Sequence, residues 1–246
     1  MKKWLVLLLC IPFVSEAQVP LLLKGKNIVK LNLSSLVAKN VHFTYERKLT
    51  NRFSAAIGFR TMAKGTLPFK STFESLVDGT DFDFNKFQMG NTAITPEVRI
   101  YLGKGNMRGF YVAPYMRFAS FDITAPVKYT YNNGTTNVTD EAPVAGKIKS
   151  TSGGLMFGTQ HRIFKVLTLD IWIIGGHYGS SSGTLAVTKA FNTQQERDAV
   201  KAELDGIDAA PFKFKNAVVT STGASIQSDG PWAGIRGAGI NIGFRF

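Results

Sequence analysis

The chain ends on "GINIGFRF", residues 239–246, and the alternation in that stretch limits the fold more than any other feature. Ala238, Ile240, Ile242, Phe244 and Phe246 fall on one side of an extended strand, with Gly239, Asn241, Gly243 and Arg245 on the other. The same period of two recurs along the sequence. In "NIVKLNLSSL" Val29, Leu31 and Leu33 oppose Lys30, Asn32 and Ser34, and in "VHFTYERKL" Val41, Phe43 and Tyr45 oppose His42, Thr44 and Glu46. "FSAAIGFRTM" sets Phe53, Ala55, Ile57 and Phe59 against Gly58 and Arg60, and "ITPEVRIYL" sets Ile94, Val98, Ile100 and Leu102 against Thr95, Glu97, Arg99 and Tyr101. "GFYVAPYMRFASF" opposes Phe110, Val112, Met116 and Phe118 to Tyr111, Tyr115 and Arg117. A less regular segment runs from Lys147 to Ile163, and "VLTLDIWII" opposes Leu167, Leu169, Ile171 and Ile173 to Thr168, Asp170 and Trp172. Pro96 and Pro114 lie inside two of these segments and each removes a ladder donor, so bulges or strand ends are expected there.

A soluble sandwich alternates in the same way, but two features favour a closed barrel. Charges stand singly in mid-strand among aromatics and glycines, which suits an enclosed polar interior. The connections also alternate in length. Those at 50–52, 103–109 and 163–166 are short, whereas 63–91, 123–146 and 179–233 are long and share one parity with the link near 38–40. Short turns at one end and long loops at the other are the pattern of an outer-membrane barrel. In lipid, backbone polar groups are satisfied only when the sheet closes on itself. The expected fold is therefore an all-β, eight-stranded antiparallel transmembrane barrel, with Phe244 and Phe246 as interface anchors on the last strand. No segment after the amino-terminal run reaches the ~18 uninterrupted apolar residues of a spanning helix.

The amino-terminal "MKKWLVLLLCIPFVSEAQ" has Lys2 and Lys3, an apolar run from Trp4 to Val14 broken by Pro12, and Ser15-Glu16-Ala17 before Gln18. It reads as a signal peptide at 1–17, followed by a barrel domain at 18–246. Cleavage would remove Cys10, the single cysteine, so no disulfide is expected in the exported chain. The net charge of +12 would fall by one as Lys2, Lys3 and Glu16 depart. For an exported basic chain the expected partner is an anionic membrane surface, lipid and lipopolysaccharide, and not nucleic acid.

In this order and spacing, "KLNL" at 30–33, "YERKL" at 45–49, "PEVRIYLG" at 96–103, "GFYVAPYMRF" at 109–118, "LTLDIWIIGGHYG" at 167–179 and the terminal "GFRF" resemble the small outer-membrane β-barrels of Bacteroidota, porin-like or OmpA-like proteins mostly of unknown function. The resemblance covers most of 27–178 and 234–246 and leaves the long loops unmatched. It implies insertion by the barrel assembly machinery, which reads a terminal aromatic strand. It implies no agreed activity.

Parity places Lys30, Glu46, Arg60, Glu97, Arg99, Arg117, Asp170 and Arg245 in the lumen, where a charge network is expected because unpaired buried charge is costly. Such a network either fills the interior and fixes the barrel's shape, which is the reading adopted, or lines an ion path. His177 has outward parity with Ser180, Ser181 and Ser182 close behind, the ingredients of a lipid-modifying enzyme, yet no outward acid accompanies them and no catalysis is expected. His42 and His161 are isolated, and neither metal-ligand spacing nor a cofactor motif is present. "GKGNMRG" at 103–109 lacks the helix a phosphate loop requires and reads as a turn, as does "NNGTTN" at 132–137.

In the last long loop Thr193 and Glu196 form a capping box for a helix ending at Gly206, with Ala199, Val200, Ala202 and Leu204 as its apolar side. This helix, within 191–206, either caps the barrel mouth or sits in solvent. The flanking "GTLAVTKAF" and "AVVTSTGASI" extend neighbouring strands or add a hairpin, for ten strands in place of eight. Lys147, Lys149, Lys189, Lys213 and Lys215 near the outer rim are candidates for glycolipid phosphates. The expected function is structural or surface-interacting in a monomer, with a narrow pore as the alternative and a lipid-modifying enzyme as the third reading.

Overall fold

A computed structural model describes residues 25–66, 85–103, 105–207 and 211–246. The expected leader at 1–17 and part of the 63–91 connection lie outside these residues. Ten strands and two helices follow one another as β1 (Asn27–Asn32), α1 (Leu33–Val37), β2 (Val41–Lys48), β3 (Phe53–Thr66), β4 (Gln88–Tyr101), β5 (Gly109–Asn132), β6 (Asn137–Arg162), β7 (Leu167–Val187), α2 (Gln194–Asp205), β8 (Lys213–Thr220), β9 (Gly223–Ile235) and β10 (Gly239–Arg245). All neighbours are antiparallel, in the order β10-β1-β2-β3-β4-β5-β6-β7-β9-β8, and β10 also pairs with β7.

That last pairing closes a ring of eight. Strands β10 and β9 keep one continuous register along β7, from Phe244 opposite Leu167 to Ala224 opposite Val187, so they are a single wall strand interrupted at Arg236–Ala238. Strand β8 stands outside the ring, paired with β9 alone. The eight-strand and ten-strand readings both describe part of the molecule: the ring has eight wall positions and the sheet ten strands. Backbone bonds between Asn27 and Phe246, 2.9 Å in each direction, join the termini. No helix among the described residues is long and apolar enough to cross a membrane, a test that does not bear on strands.

Outward positions form an apolar belt. Phe43, Ile57, Phe59, Ile94, Phe118, Leu155, Phe157, Ile174 and Ile242 are each between 43% and 59% exposed, while the lumen positions between them are mostly buried. An apolar surface this large on a soluble monomer would be an interaction liability. The strand ends that carry the termini are joined by turns at 49–52, 102–108 and 163–166. At the other end two expectations change. The 123–146 segment is almost all strand: β5 and β6 pair from Gly109–Gln160 up to Asn132–Asn137, leaving a four-residue tip at 133–136. Its "NNGTTN" is the hairpin turn, closed by Asn133 Oδ1 accepting from the amides of Thr135 and Thr136. The prolines also produce neither strand ends nor bulges. Both sit within β4 and β5, beside gaps in the β4–β5 ladder on either side of the Glu97–Tyr115 pair, so the missing donors fall on that seam.

Above the ring, β5, β6, β7, β9 and β8 continue as a sheet whose inner face turns apolar. Tyr129, Ala142, Val144, Val187, Ala224 and Ile226 pack there with Phe191 and with Val200 and Leu204 of α2. Helix α2 is capped as expected, Thr193 Oγ1 accepting from the Glu196 amide at 3.1 Å, but Ala202 faces solvent. It packs on β5 and β8 and covers the sheet's inner face. Strand β8 bulges between Lys215 and Val218, with Asn216 at φ 57.

Candidate functional site

The lumen is built in two layers, and the lower one is a charge network. Lys30 Nζ meets Glu46 Oε2 at 2.5 Å and Asp170 Oδ2 at 2.7 Å. Arg99 reaches Asp170 at 2.6 Å, Glu97 at 2.5 Å and Glu46 at 3.4 Å. Tyr101 and Tyr111 donate to Glu46 and Asp170 at 2.6 and 2.7 Å, Ser54 donates to Glu46 at 2.5 Å, and Lys30 also donates to Gln160. Lys30, Glu46, Arg99, Gln160 and Asp170 are at most 1% exposed.

The turn at 102–108 seals this layer from below. Left-handed backbone at Asn106 and Met107, φ 64 and 56, folds Met107 in beside Ile28, Tyr101 and Tyr111, and its carbonyl accepts from Gln160 Nε2 at 2.9 Å. Small residues make the room. A Cβ at Gly158 would lie 2.5 Å from Tyr111 Cζ, and one at Gly239 would lie 2.6 Å from Trp172 Cε3.

Six of the eight expected lumen charges have buried or part-buried lumen positions with partners as follows. Lys30, Glu46, Glu97, Arg99 and Asp170 form the network, and Arg117 stands above it, its Nη1 3.5 Å from Thr95 Oγ1. Arg60 is also inward-facing but has no carboxylate partner among the described residues. Arg245 is not part of the network: it lies at the terminal rim, its Nε donating to the Gly25 carbonyl at 2.5 Å. Arg236 takes the place expected for it, pairing with Glu97 Oε2 at 2.6 Å, its guanidinium 4.2 Å from the Trp172 ring centroid and 4.9 Å from that of Tyr115. It escapes the period-two reading because it falls in the interruption between β9 and β10: counted back from the terminal strand, Arg236 shares the outward parity of Ala238 and Ile240, and the break reverses that parity.

His177 also departs from its expected outward parity. Ile173 is an extra residue in β7, since Ile174 pairs with Phe157 and Trp172 with Gly158, and parity reverses beyond it. His177 therefore turns inward, edge-on to Tyr115 at 6.2 Å, while Ser180 and Ser182 stay exposed on the outer face.

The upper layer is a partly open cavity of about 490 Å³. Three arginines, Arg60, Arg117 and Arg236, and two histidines, His42 and His177, line it with no acidic residue among the described lining. Trp172, Trp232, Phe121, Met62 and Met89 supply apolar wall, and Phe121 meets Trp232 across the lumen at 4.6 Å between centroids. Arg60 Nε, Arg236 Nε and Nη2, His42 Nε2 and Trp172 Nε1 have no hydrogen-bond partner among the described residues. Ala233 and Ile235 border the cavity although they face outward, because among the described residues Pro231–Ile235 pairs with β7 only. Beyond the end of β1, α1 fills part of that side: Asn32 caps it, and Ser34 Oγ accepts from the Ile240 amide at 2.8 Å.

Neither a family model nor a curated protein sequence matches the chain. Among solved structures, Acinetobacter baumannii CarO is similar at a TM-score of 0.37 and 14% identity, covering 90% of this chain and 97% of its own. Acinetobacter baumannii CarO2 gives a TM-score of 0.35 and 10% identity over the same shares.

Outside the ring, Lys189 bridges Asp140 at 2.5 Å and Tyr129 Oη at 2.7 Å, and Glu196 accepts from Tyr129 at 2.9 Å. Burial pushes the Tyr129 phenol up to about 12. The Lys189 hydrogen bond holds Asp140 below the usual carboxylate range. Lys189 is thus engaged in the cap. Lys147 and Lys149 are exposed on β6, Lys213 is exposed on β8, and Lys215 pairs with Asp229 at 2.5 Å. Among the described residues no group of acids, histidines or cysteines is arranged to hold a metal.

Proposed function

We propose that the protein is an outer-membrane β-barrel with a structural or surface-interaction role, and that it neither conducts nor catalyses. The supporting observation is the floor of the lumen. Lys30, Glu46, Arg99 and Asp170, all at most 1% exposed, fill the section with a mutually bonded network, and Met107 closes it from beneath. A ring of eight strands has room for side chains and little else, so an ion would have to break several charge-assisted bonds at once. The inward turn of His177, away from the outer-face serines, also weighs against lipid chemistry at that rim.

In this reading the apolar belt contacts lipid, and Phe244 and Phe246, stacked at 6.3 Å, serve as the terminal signal for the assembly machinery. Lys147, Lys149 and Lys213 face glycolipid phosphates, Lys215 being held by Asp229, and the capped sheet above is the surface offered to a partner. The test is conductance in planar bilayers. Purified protein should insert without unitary current steps; reproducible steps of uniform size would overturn the reading in favour of a pore. Lipid A mass profiles that differ with and without the protein would overturn the non-enzymatic part.

A further inference from the structure

We propose that the upper cavity is a binding site for an amphiphilic organic anion, its oxyanion head held by Arg60, Arg117 and Arg236 and its apolar chain leaving along the edge of β9 that borders it. The inference rests on the membrane placement proposed above and goes beyond it by naming a ligand class.

Charge makes the first argument. In the lower layer three acids, Glu46, Glu97 and Asp170, are matched by Lys30, Arg99 and Arg236. Arg60 and Arg117 remain, and neither has a carboxylate partner among the described residues. Arg117 is 8% exposed, so its charge is largely withdrawn from water. Buried cations are ordinarily paired. Water entering the cavity would satisfy N–H groups but would not neutralise two guanidiniums, whereas an oxyanion would do both.

Orphaned donors make the second. Arg236, His42 and Trp172 are 8%, 5% and 5% exposed, and each lines the cavity with a buried nitrogen that has no partner among the described residues. Buried polar atoms are nearly always bonded in folded proteins, so several orphans facing one space call for a shared partner. Nearly all are donors or cationic, which selects an acceptor-rich, negative group.

The wall decides the rest of the ligand. Met62, Met89, Phe121 and Trp232 give the cavity an apolar side that a bare ion would not use. The cavity is bordered by the β9 edge at Gly230–Ile235, and Ile235, 87% exposed, stands level with Leu155 in the belt, both pairing with Gly176. A chain leaving there passes from the cavity to the height at which Leu155 faces outward. Pockets of this volume commonly take a ligand of drug-like size.

Two of the three tryptophans, Trp172 and Trp232, line the cavity, so intrinsic fluorescence reports occupancy directly. The protein in non-ionic detergent is titrated with an alkyl phosphate, the alcohol of equal chain length, phenyl phosphate and inorganic phosphate. Saturable change is expected with the alkyl phosphate, about tenfold or more tighter than with phenyl or inorganic phosphate, and none with the alcohol. Equal affinity for inorganic phosphate, equal affinity for phenyl phosphate, or no saturable change with any probe would each overturn the proposal.

Arg60→Gln/Arg117→Gln should weaken alkyl phosphate binding at least about tenfold while unfolding at the same or higher denaturant concentration, because it removes uncompensated charge. Unchanged binding, or a loss of stability in the double variant, would show that the arginines are structural and sink the site. Lys149→Gln, on the outer face, should leave binding unchanged. Failure of binding with the conductance result intact would reject this site alone, whereas a barrel soluble without detergent would reject the membrane placement itself.

Discussion

Arg99 shows how much one side chain can hold. It touches Glu46, Glu97 and Asp170, so Arg99→Met would leave these three acids with two cations, Lys30 and Arg236, between them. Breaking a buried ion network from one side typically costs about 3–5 kcal/mol, and the urea midpoint of the refolded barrel should fall accordingly. Gly158→Ala acts on the same network indirectly. Its Cβ would intrude on the Tyr111 ring and push the phenol from Asp170, for a loss of roughly 1–3 kcal/mol in the same assay. These residues were legible in sequence to different degrees. Lys30, Glu46, Glu97, Arg99 and Asp170 followed from parity because each lies in a regular stretch of its strand, Asp170 ahead of the slip in β7. His177 and Arg236 did not, because one extra residue at Ile173 and the break at Arg236–Ala238 each shift the count by one, and sequence alternation carries no mark of such a slip.

At the scale of elements, the strongest departure is the capped sheet above the ring. The strand read as ending near Phe121 continues to Asn132, and its inner face changes from polar to apolar as the surroundings change from lumen to protein core. The capping box of α2 was visible in sequence, but its docking was not, since a helix this short gives no sign of which surface it covers. Leu204→Ala should cost the cap about 2–5 kcal/mol and expose 191–206 to protease while leaving the ring folded.

The pH response of this cap has a defined sign. Asp140 is depressed, so its contribution is present above the ordinary aspartate pKa and lost as pH falls through its folded value. Tyr129 is raised to about 12, so its contribution is complete below the unfolded phenol value of ~10 and is lost as pH rises towards about 12. Hydrogen exchange of α2 should therefore be protected across the neutral range and should rise at both extremes. Lys189→Met should weaken the acid-side dependence, since the Lys189 bond is the largest influence that depresses Asp140, ahead of the Glu141 amide.

For the molecule as a whole, the closed ring and its apolar belt were readable from eight alternating segments and the parity of connection lengths, because lipid and lumen impose opposite demands on successive residues. What remained hidden is that the lumen holds both a sealed floor and a cationic chamber. One further property follows from strand β8, which adds to β9 beyond the ring and so has an outer row of backbone donors and acceptors with no strand neighbour among the described residues. Lys213 and Lys215 on that rim, and the kink at Asn216, are the guards by which a sheet avoids recruiting a second one. Exchanging both lysines for valine should turn a self-contained particle into one that zips side by side with its own copies, visible as ladders in crosslinking.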